Sequence, residues 1–313
     1  MPQSLVINLV TQTPVSAKYL QGTALQQLFF SLVEAVDPEL AHVLRHDSQN
    51  RSYSLSALQI GSLVAPSKPS LKRNTLRLLS SATHSKDLAN SLQYAHQATV
   101  PARTACWWRI SFLDDGLFDH LIFLWNQLSD ELFGLGPANV RVESISAELP
   151  GSLWASTCSY SQIYEHASTA RRDIHLMLVT PAAFEVDGKL SQLPTAEAVF
   201  QPLRRYWNRY SGLAFAPSLI DAISLVGFDI RTEAVQLPSK RMLRPLVGCR
   251  GWLHFQVSRK YDGLTVKRLN TLADFTRYCN IGHHAMFGLG VMRRLSGSIN
   301  ELSSAESSGN RRT

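Results

Sequence analysis

IGHHAMFGLG, residues 281–290, is the stretch on which the reading of this chain turns. Gly282, Gly288 and Gly290 lack a Cβ, so the backbone can take positive φ there and approach a neighbour closely. His283 and His284 add ring nitrogens, and Arg293 and Arg294 follow shortly after. Apolar spacing predicts a helix over residues 269–278 before the loop and a short strand over 290–295 after it. A glycine-rich loop that joins helix to strand in a basic chain suggests a backbone cradle for phosphates. Such turns are common, so the flanking pattern must decide.

Upstream, residues 173–180 (DIHLMLVT) read as a strand, followed by a turn at Asp187-Gly188. A helix over 195–210 carries Arg204, Arg205 and Arg209 on its polar side. Two long alternating strands, 223–237 and 246–259, flank a basic turn that contains Lys240, Arg241 and Arg244. With the 269–278 helix, the loop and the last strand, the order is β-α-β-β-α-β. The first half repeats it. SLVINLV (4–10) alternates as a half-buried strand does. Residues 21–36 place Leu25, Leu28, Phe29, Leu32, Val33 and Val36 at helical spacing. Asp37-Pro38 ends that helix and starts another over 38–45, with Asp37 as N-cap and Pro38 at the first helical position. SYSLSAL (52–58), CWWRISFL (106–113) and 140–146 read as strands, and 115–133 as an amphipathic helix. Adjacent on one strand, Trp107 and Trp108 face opposite sides of the sheet, with core packing expected for at least one. Between strands lies a Ser/Thr/Pro/Lys-rich excursion, 65–102, with short helices expected at 71–79 and 85–94. The fold class is therefore α+β: tandem ferredoxin-like (RRM-like) domains over 1–150 and 151–295. A Ser-, Gly- and Arg-rich tail, 296–313, is expected to be disordered.

A length of 313 residues suits two domains, and 45% hydrophobic with 18% charged residues marks a globular protein with real cores. The net charge of +7 favours a nucleic-acid or phosphate partner. Cys106, Cys158, Cys249 and Cys279 are scattered without a CxxC pair, as buried reduced thiols are. No apolar run is long enough to cross a bilayer and no secretory signal precedes the first strand, so a cytoplasmic protein is expected.

The ordered motifs also resemble a known family. Ser159-Tyr160-Ser161, LVTPAAF (178–184), Leu193-Pro194, VFQPLRRYWNRY (199–210), GCRGWLHF (248–255) and the glycine loop together look like the CRISPR-associated endoribonucleases that process precursor CRISPR RNA, members of the RAMP superfamily. SYSLSAL in the first half resembles the segment that follows that family's catalytic histidine. The likeness spans nearly the whole chain apart from the 65–102 excursion and the tail. It implies metal-independent cleavage within repeats, with no cofactor. A 2′-hydroxyl attacks the adjacent phosphorus, leaving a 2′,3′-cyclic phosphate and a 5′-hydroxyl. CRISPR repeat RNA is the implied partner, with effector-complex subunits and a second copy of the chain left open, and neither DNA nor membrane expected.

Histidine titrates near neutrality and can take or give the protons this reaction moves. The resemblance puts His46 at the catalytic position, and His42 lies four residues before it. Arg51, standing where the family usually has lysine, Lys18 and Arg45 are candidate cations for the transition state. Tyr19 or Tyr53 could orient the site or donate a proton. For RNA binding the candidates are Lys18, Arg204, Arg205, Arg209, Lys240, Arg241, Arg244, Gly282, His283, His284, Gly288, Gly290 and Arg293. His283 and His284 stand where the family often carries lysine, and making one of them the acid is an alternative. Reading His42 and His46 as metal ligands lacks the Glu of HExxH and a third ligand, so no metal is expected. Two competing readings share the fold: a non-catalytic RAMP-type subunit that binds guide RNA, and an unrelated basic RNA-binding protein. Against the second, aromatic RNA-recognition signatures are not evident on the strands.

Overall fold

The computed structural model describes residues 1–46, 52–62, 92–128, 130–147, 154–186, 188–236 and 245–295. The helix expected at 71–79, most of that at 85–94, Arg51, Lys240, Arg241, Arg244 and the tail from 296 lie outside the described residues.

The chain opens with β1 (Gln3–Thr11), α1 (Thr23–Glu34) and α2 (Pro38–His46). Helical spacing buries Leu25, Leu28, Phe29, Leu32 and Val33 on one face of α1. Asp37 starts α2 as expected, its carboxylate accepting the Leu40 N–H at 2.9 Å. β2 (Tyr53–Leu55), β3 (Gln59–Ile60), β4 (Ala105–Phe112), α3 (Asp115–Trp125), β5 (Leu132–Leu135), β6 (Ala138–Ser146) and β7 (Ser156–Thr157) follow. The sheet order is β2-β4-β1-β6-β5, with β3 beside β4 and β7 beside β1. That is the ferredoxin-like order with an added edge hairpin. The helix expected to reach residue 133 stops at Trp125, because Leu132–Leu135 pairs with β6 around Gly136, whose φ of 63° suits the turn.

The second unit begins with α4 (Tyr160–His166), closed by a reciprocal cap between Ser159 and Gln162. β8 (Asp173–Ala182), the hairpin β9 (Phe184–Val186) and β10 (Lys189–Ser191), α5 (Ala196–Tyr210), β11 (Ile223–Val235), β12 (Leu246–Val257), α6 (Gly263–Phe275) and β13 (Met292–Arg294) complete it. Its sheet order, β11-β12-β8-β13, is again ferredoxin-like. α6 starts earlier than apolar spacing suggests, because Asp262 accepts the Thr265 N–H at 2.8 Å.

Each sheet buries one face under its own helices. In the first, Leu5, Ile7, Leu9, Trp108 and Ile110 pack with α1. In the second, Ile174, Leu176, Leu253 and Phe255 pack with residues of α5 and α6. The other faces meet. Val6 and Trp107 of the first sheet pack with Val179 of the second and with Val291 just before β13, and Trp154 joins them. β1, which alternation marks as half-buried, is therefore covered on both faces: Ser4 and Val6 are as buried as Leu5 and Ile7. Trp108 serves the helix-side core and Trp107 the contact between sheets. Burying each such large side chain contributes roughly 1.5–3 kcal/mol. Arg109 crosses the same contact, donating to Ser4 Oγ at 3.0 Å and to the Arg277 carbonyl. Burial, and then the neighbouring Arg277, push its pKa down to about 10.

Candidate active site

The C-terminal half of α2 carries the two histidines that sequence spacing pairs. His42 and His46 are exposed, and their ring centroids are 4.3 Å apart with planes tilted by 38°. His46 Nδ1 lies 2.8 Å from the His42 carbonyl oxygen. A carbonyl only accepts, so this contact assigns the Nδ1 proton and leaves Nε2 facing outward as a proton acceptor in the neutral ring. The helix thus holds one imidazole in a defined tautomer beside a second.

The candidate partners divide. Arg45 is held by Glu34 at 2.5 Å and lies 5.4 Å from the Phe30 ring, so its charge is already matched. That pairing holds the Glu34 carboxyl below its ordinary pKa. Lys18 is exposed, with its ammonium 4.9 Å from the Tyr19 ring. Tyr19 packs over the β5–β6 turn, where a Cβ on Gly136 would come within 2.5 Å of its ring. Tyr53 points into the first core, 7% exposed and stacked on Phe29 at 4.4 Å. Arg51 lies outside the described residues.

The glycine loop docks against the first unit. Gly282 has a φ of 85°, and a Cβ there would meet the Ala183 carbonyl oxygen at 2.5 Å. Gly288, at 87°, lies against Ser56 and Ala57, where a Cβ would come 2.8 Å from the Ala57 nitrogen. Gly290, at 65°, folds back so that the Ile281 N–H reaches its carbonyl at 2.9 Å. The close approach these glycines permit is therefore to the protein's own backbone. Asn280, 3% exposed, ties the arrangement by donating to Leu55 O at 2.8 Å and Ala285 O at 3.0 Å. From α1, the Gln26 amide reaches both the Tyr53 hydroxyl and Met286 Sδ at 3.3 Å. Asn280 and Gln26 join the loop, α1 and β2, and neither carries a motif that sequence reading would single out. What the loop presents are His283 and His284, half-buried with ring centroids 4.0 Å apart.

Of the helix arginines, Arg204 is occupied, donating to Gln201 Oε1 at 2.8 Å and Phe215 O at 2.9 Å. Arg205 and Arg209 are exposed. Arg293 sits on β13 opposite Met177 of β8. Lys240, Arg241 and Arg244 belong to the turn between β11 and β12, outside the described residues. Cys106, Cys249 and Cys279 are buried and outside any disulfide, whereas Cys158 is partly exposed. No helix among the described residues is long and apolar enough to cross a membrane.

The fold and the helix-borne histidine pair define a two-unit ferredoxin-like protein with acid–base groups on its surface. Comparison with known families narrows this. The CRISPR Cas6 N-terminal domain matches residues 1–165, and the CRISPR-associated endoribonuclease Cas6 matches residues 176–292. The chain belongs to the Cas6 family of CRISPR-associated endoribonucleases. Among solved structures it is similar to a Cas6 product complex, at 20% identity and a TM-score of 0.69, covering 94% of this chain and 100% of that one. A second Cas6 product complex matches at 20% identity and a TM-score of 0.65, covering 95% and 100%. Thermus thermophilus Cas6 matches at 20% identity and a TM-score of 0.63, covering 94% and 98%. These likenesses share the fold. Comparison with curated proteins gave no match.

Proposed function

We propose that this chain binds precursor CRISPR RNA and cleaves it within the repeats, without a metal, using the histidine pair of α2. The observation that carries the reading is the assigned tautomer of His46, fixed by the His42 carbonyl 2.8 Å away. The outward Nε2 takes the proton from a ribose 2′-hydroxyl. The freed oxygen forms a bond to the adjacent phosphorus as the bond from phosphorus to the 5′-oxygen breaks. A protonated imidazole returns a proton to that leaving oxygen, so the products are a 2′,3′-cyclic phosphate and a 5′-hydroxyl. His42, beside His46, is the nearest second group for this transfer. Lys18 is a candidate for steadying phosphate charge, and Arg51 and Tyr19 remain proposed members of the site.

RNA contact is assigned to His283, His284, Arg205, Arg209 and Arg293, with Lys240, Arg241 and Arg244 of the β11–β12 turn. Arg204 and the loop glycines support these groups through packing. Two units, with a boundary near residue 150, divide the labour: the first cuts and the second holds. Family membership supports the reaction class, and related Cas6 proteins captured as product complexes support the reading.

The test incubates parent and His46→Ala protein with repeat RNA in excess chelator and identifies the product ends. Cyclic-phosphate product from the parent, and a rate at least ~10²-fold lower in the variant, is the expected result. Intact RNA held by the parent would instead favour a non-catalytic guide-RNA-binding subunit. Equal cleavage by both proteins would move the chemistry away from His46.

A further inference from the structure

Beside the contact with the first unit, the same helix-free face of the second sheet carries a cluster of rings that the proposed cleavage chemistry does not use. His175 on β8 and His254 on β12 are paired directly across the strands. Their ring centroids are 4.3 Å apart with planes 28° apart. Trp252, two residues along β12, lies 5.7 Å from His175 with its plane 22° away, and 5.9 Å from His254. On β11, the residue opposite His254 is Gly227, where a Cβ would already touch His254 and Trp252 at 3.6–3.7 Å. The indole therefore lies over a strand that offers no side chain of its own at that point. In the same row of the sheet as Trp252, Met177 and then Arg293 continue across β8 and β13.

Three further facts fit a ligand. His175 is 9% exposed, and its Nδ1 is buried without a hydrogen-bond partner; Trp252 Nε1 is likewise buried and unpaired. A buried polar group left unpaired is unfavourable, so two of them side by side mark a place where the ring arrangement is kept at a cost to stability. His254 is oriented from behind, its Nε2 lying 2.8 Å from Asp173 Oδ1, which also accepts from Gln256 at 3.0 Å. Burial, then the neighbouring His254, hold His175 below its ordinary pKa, which favours the neutral ring.

β8 and β12 are the first and third strands of their ferredoxin-like unit. Sequence reading finds no aromatic RNA-recognition signature on the strands, because His175 and Trp252 come together only through the β8–β12 pairing; rings on those two strands are what lets a four-stranded sheet of this topology stack unpaired bases. We infer that His175, Trp252 and His254 form a stacking platform for unpaired nucleotides of an RNA, with Arg293 reaching its backbone. The platform takes a single-stranded run and not a duplex, since only unpaired bases present a free face. That this run flanks the cleaved repeat rests on the proposed processing of repeat RNA; the platform itself does not.

A fluorescence experiment isolates it. Of the six tryptophans, Trp107, Trp108, Trp125, Trp154 and Trp207 are buried and Trp252 alone is partly exposed. Octauridylate titrated into the full chain should therefore quench tryptophan emission, and Trp252→Phe should remove the quench while keeping affinity within about threefold. Trp252→Ala should weaken binding of a repeat RNA with a single-stranded extension about tenfold, or ~1.4 kcal/mol. It should leave binding of the same RNA trimmed to its paired part unchanged. If Trp252→Ala melts early, the quench in the parent and its loss in Trp252→Phe still decide. No quench, or equal weakening on extended and trimmed RNA, overturns the platform. Quenching by a parent that cleaves no repeat RNA would sink the processing reading and leave the platform standing. Cleavage with no quench does the reverse.

Discussion

Two pairs of histidines sit on this protein at nearly the same ring separation, in opposite settings. His42 and His46 are 4.3 Å apart on the exposed C-terminal half of α2, one helical turn from each other. His283 and His284 are 4.0 Å apart on a loop whose neighbours are all committed. The His283 N–H bonds to Ala183 O at 2.7 Å, and His284 is held left-handed at a φ of 58°. On the helix, backbone bonding is satisfied locally and the rings are free to meet a substrate. On the loop, the backbone is fixed by contacts to both units, so the rings are positioned as a by-product of packing. Chemistry that must pass protons suits the first setting, and a rigid contact surface suits the second.

The comparison can be broken at either pair. His46→Ala should slow cleavage by ~10²–10⁴-fold with RNA affinity unchanged, whereas His284→Ala should lower affinity and leave the single-turnover rate near that of the parent. Single-turnover kinetics with separate binding curves would expose a reversal. Next in size is Gly288→Ala. A left-handed Ala is penalised by ~1–2 kcal/mol, and its Cβ would also press on the Ala57 backbone nitrogen at 2.8 Å. A loss of about 2 kcal/mol or more in a urea melt is expected, and no loss would mean the loop does not dock as described. Asn280→Ala leaves the Leu55 and Ala285 carbonyls without this donor and should destabilise by ~1–3 kcal/mol, with the same melt as the check. Smallest is the effect of Arg205→Ala with Arg209→Ala. The plot of log affinity for RNA against log salt should become shallower by roughly 0.7–0.9 for each phosphate that an arginine no longer neutralises. An unchanged slope would return both arginines to the solvated surface.

Much of this was legible in the residues. The period of α1 and the Asp37-Pro38 start of α2 follow from local side-chain chemistry, and both are found as read. α4 escapes apolar periodicity although Ser159 and Gln162 carry its capping signature, because a seven-residue helix shows too few apolar repeats to stand out. The start of α6 escapes it for a related reason. Thr265, Lys267 and Arg268 mask the period there, and only the Asp262 cap marks it. Of the proposed catalytic site, the two histidines are one helical turn apart and so were legible together. Tyr53 was not: whether its ring faced the core or the surface depended on how β2 pairs with β4.

By itself the sequence determined what local forces decide: the β-α-β-β-α-β order of each unit, the Asp37 start of α2, the apolar faces, and the spacing that sets His42 beside His46. Tertiary structure alone decided what depends on partners distant in the chain. The glycines of 281–290 press on Ala183 and on Ser56–Ala57, more than two hundred residues from the latter. Likewise His175 meets His254 only because β8 and β12 pair in one register. A shift of one residue would turn those rings to the other face of the sheet. Periodicity specifies which face of an element is buried, but not which distant surface covers it, and it is the covering surface that makes a loop a wedge or a sheet face a platform.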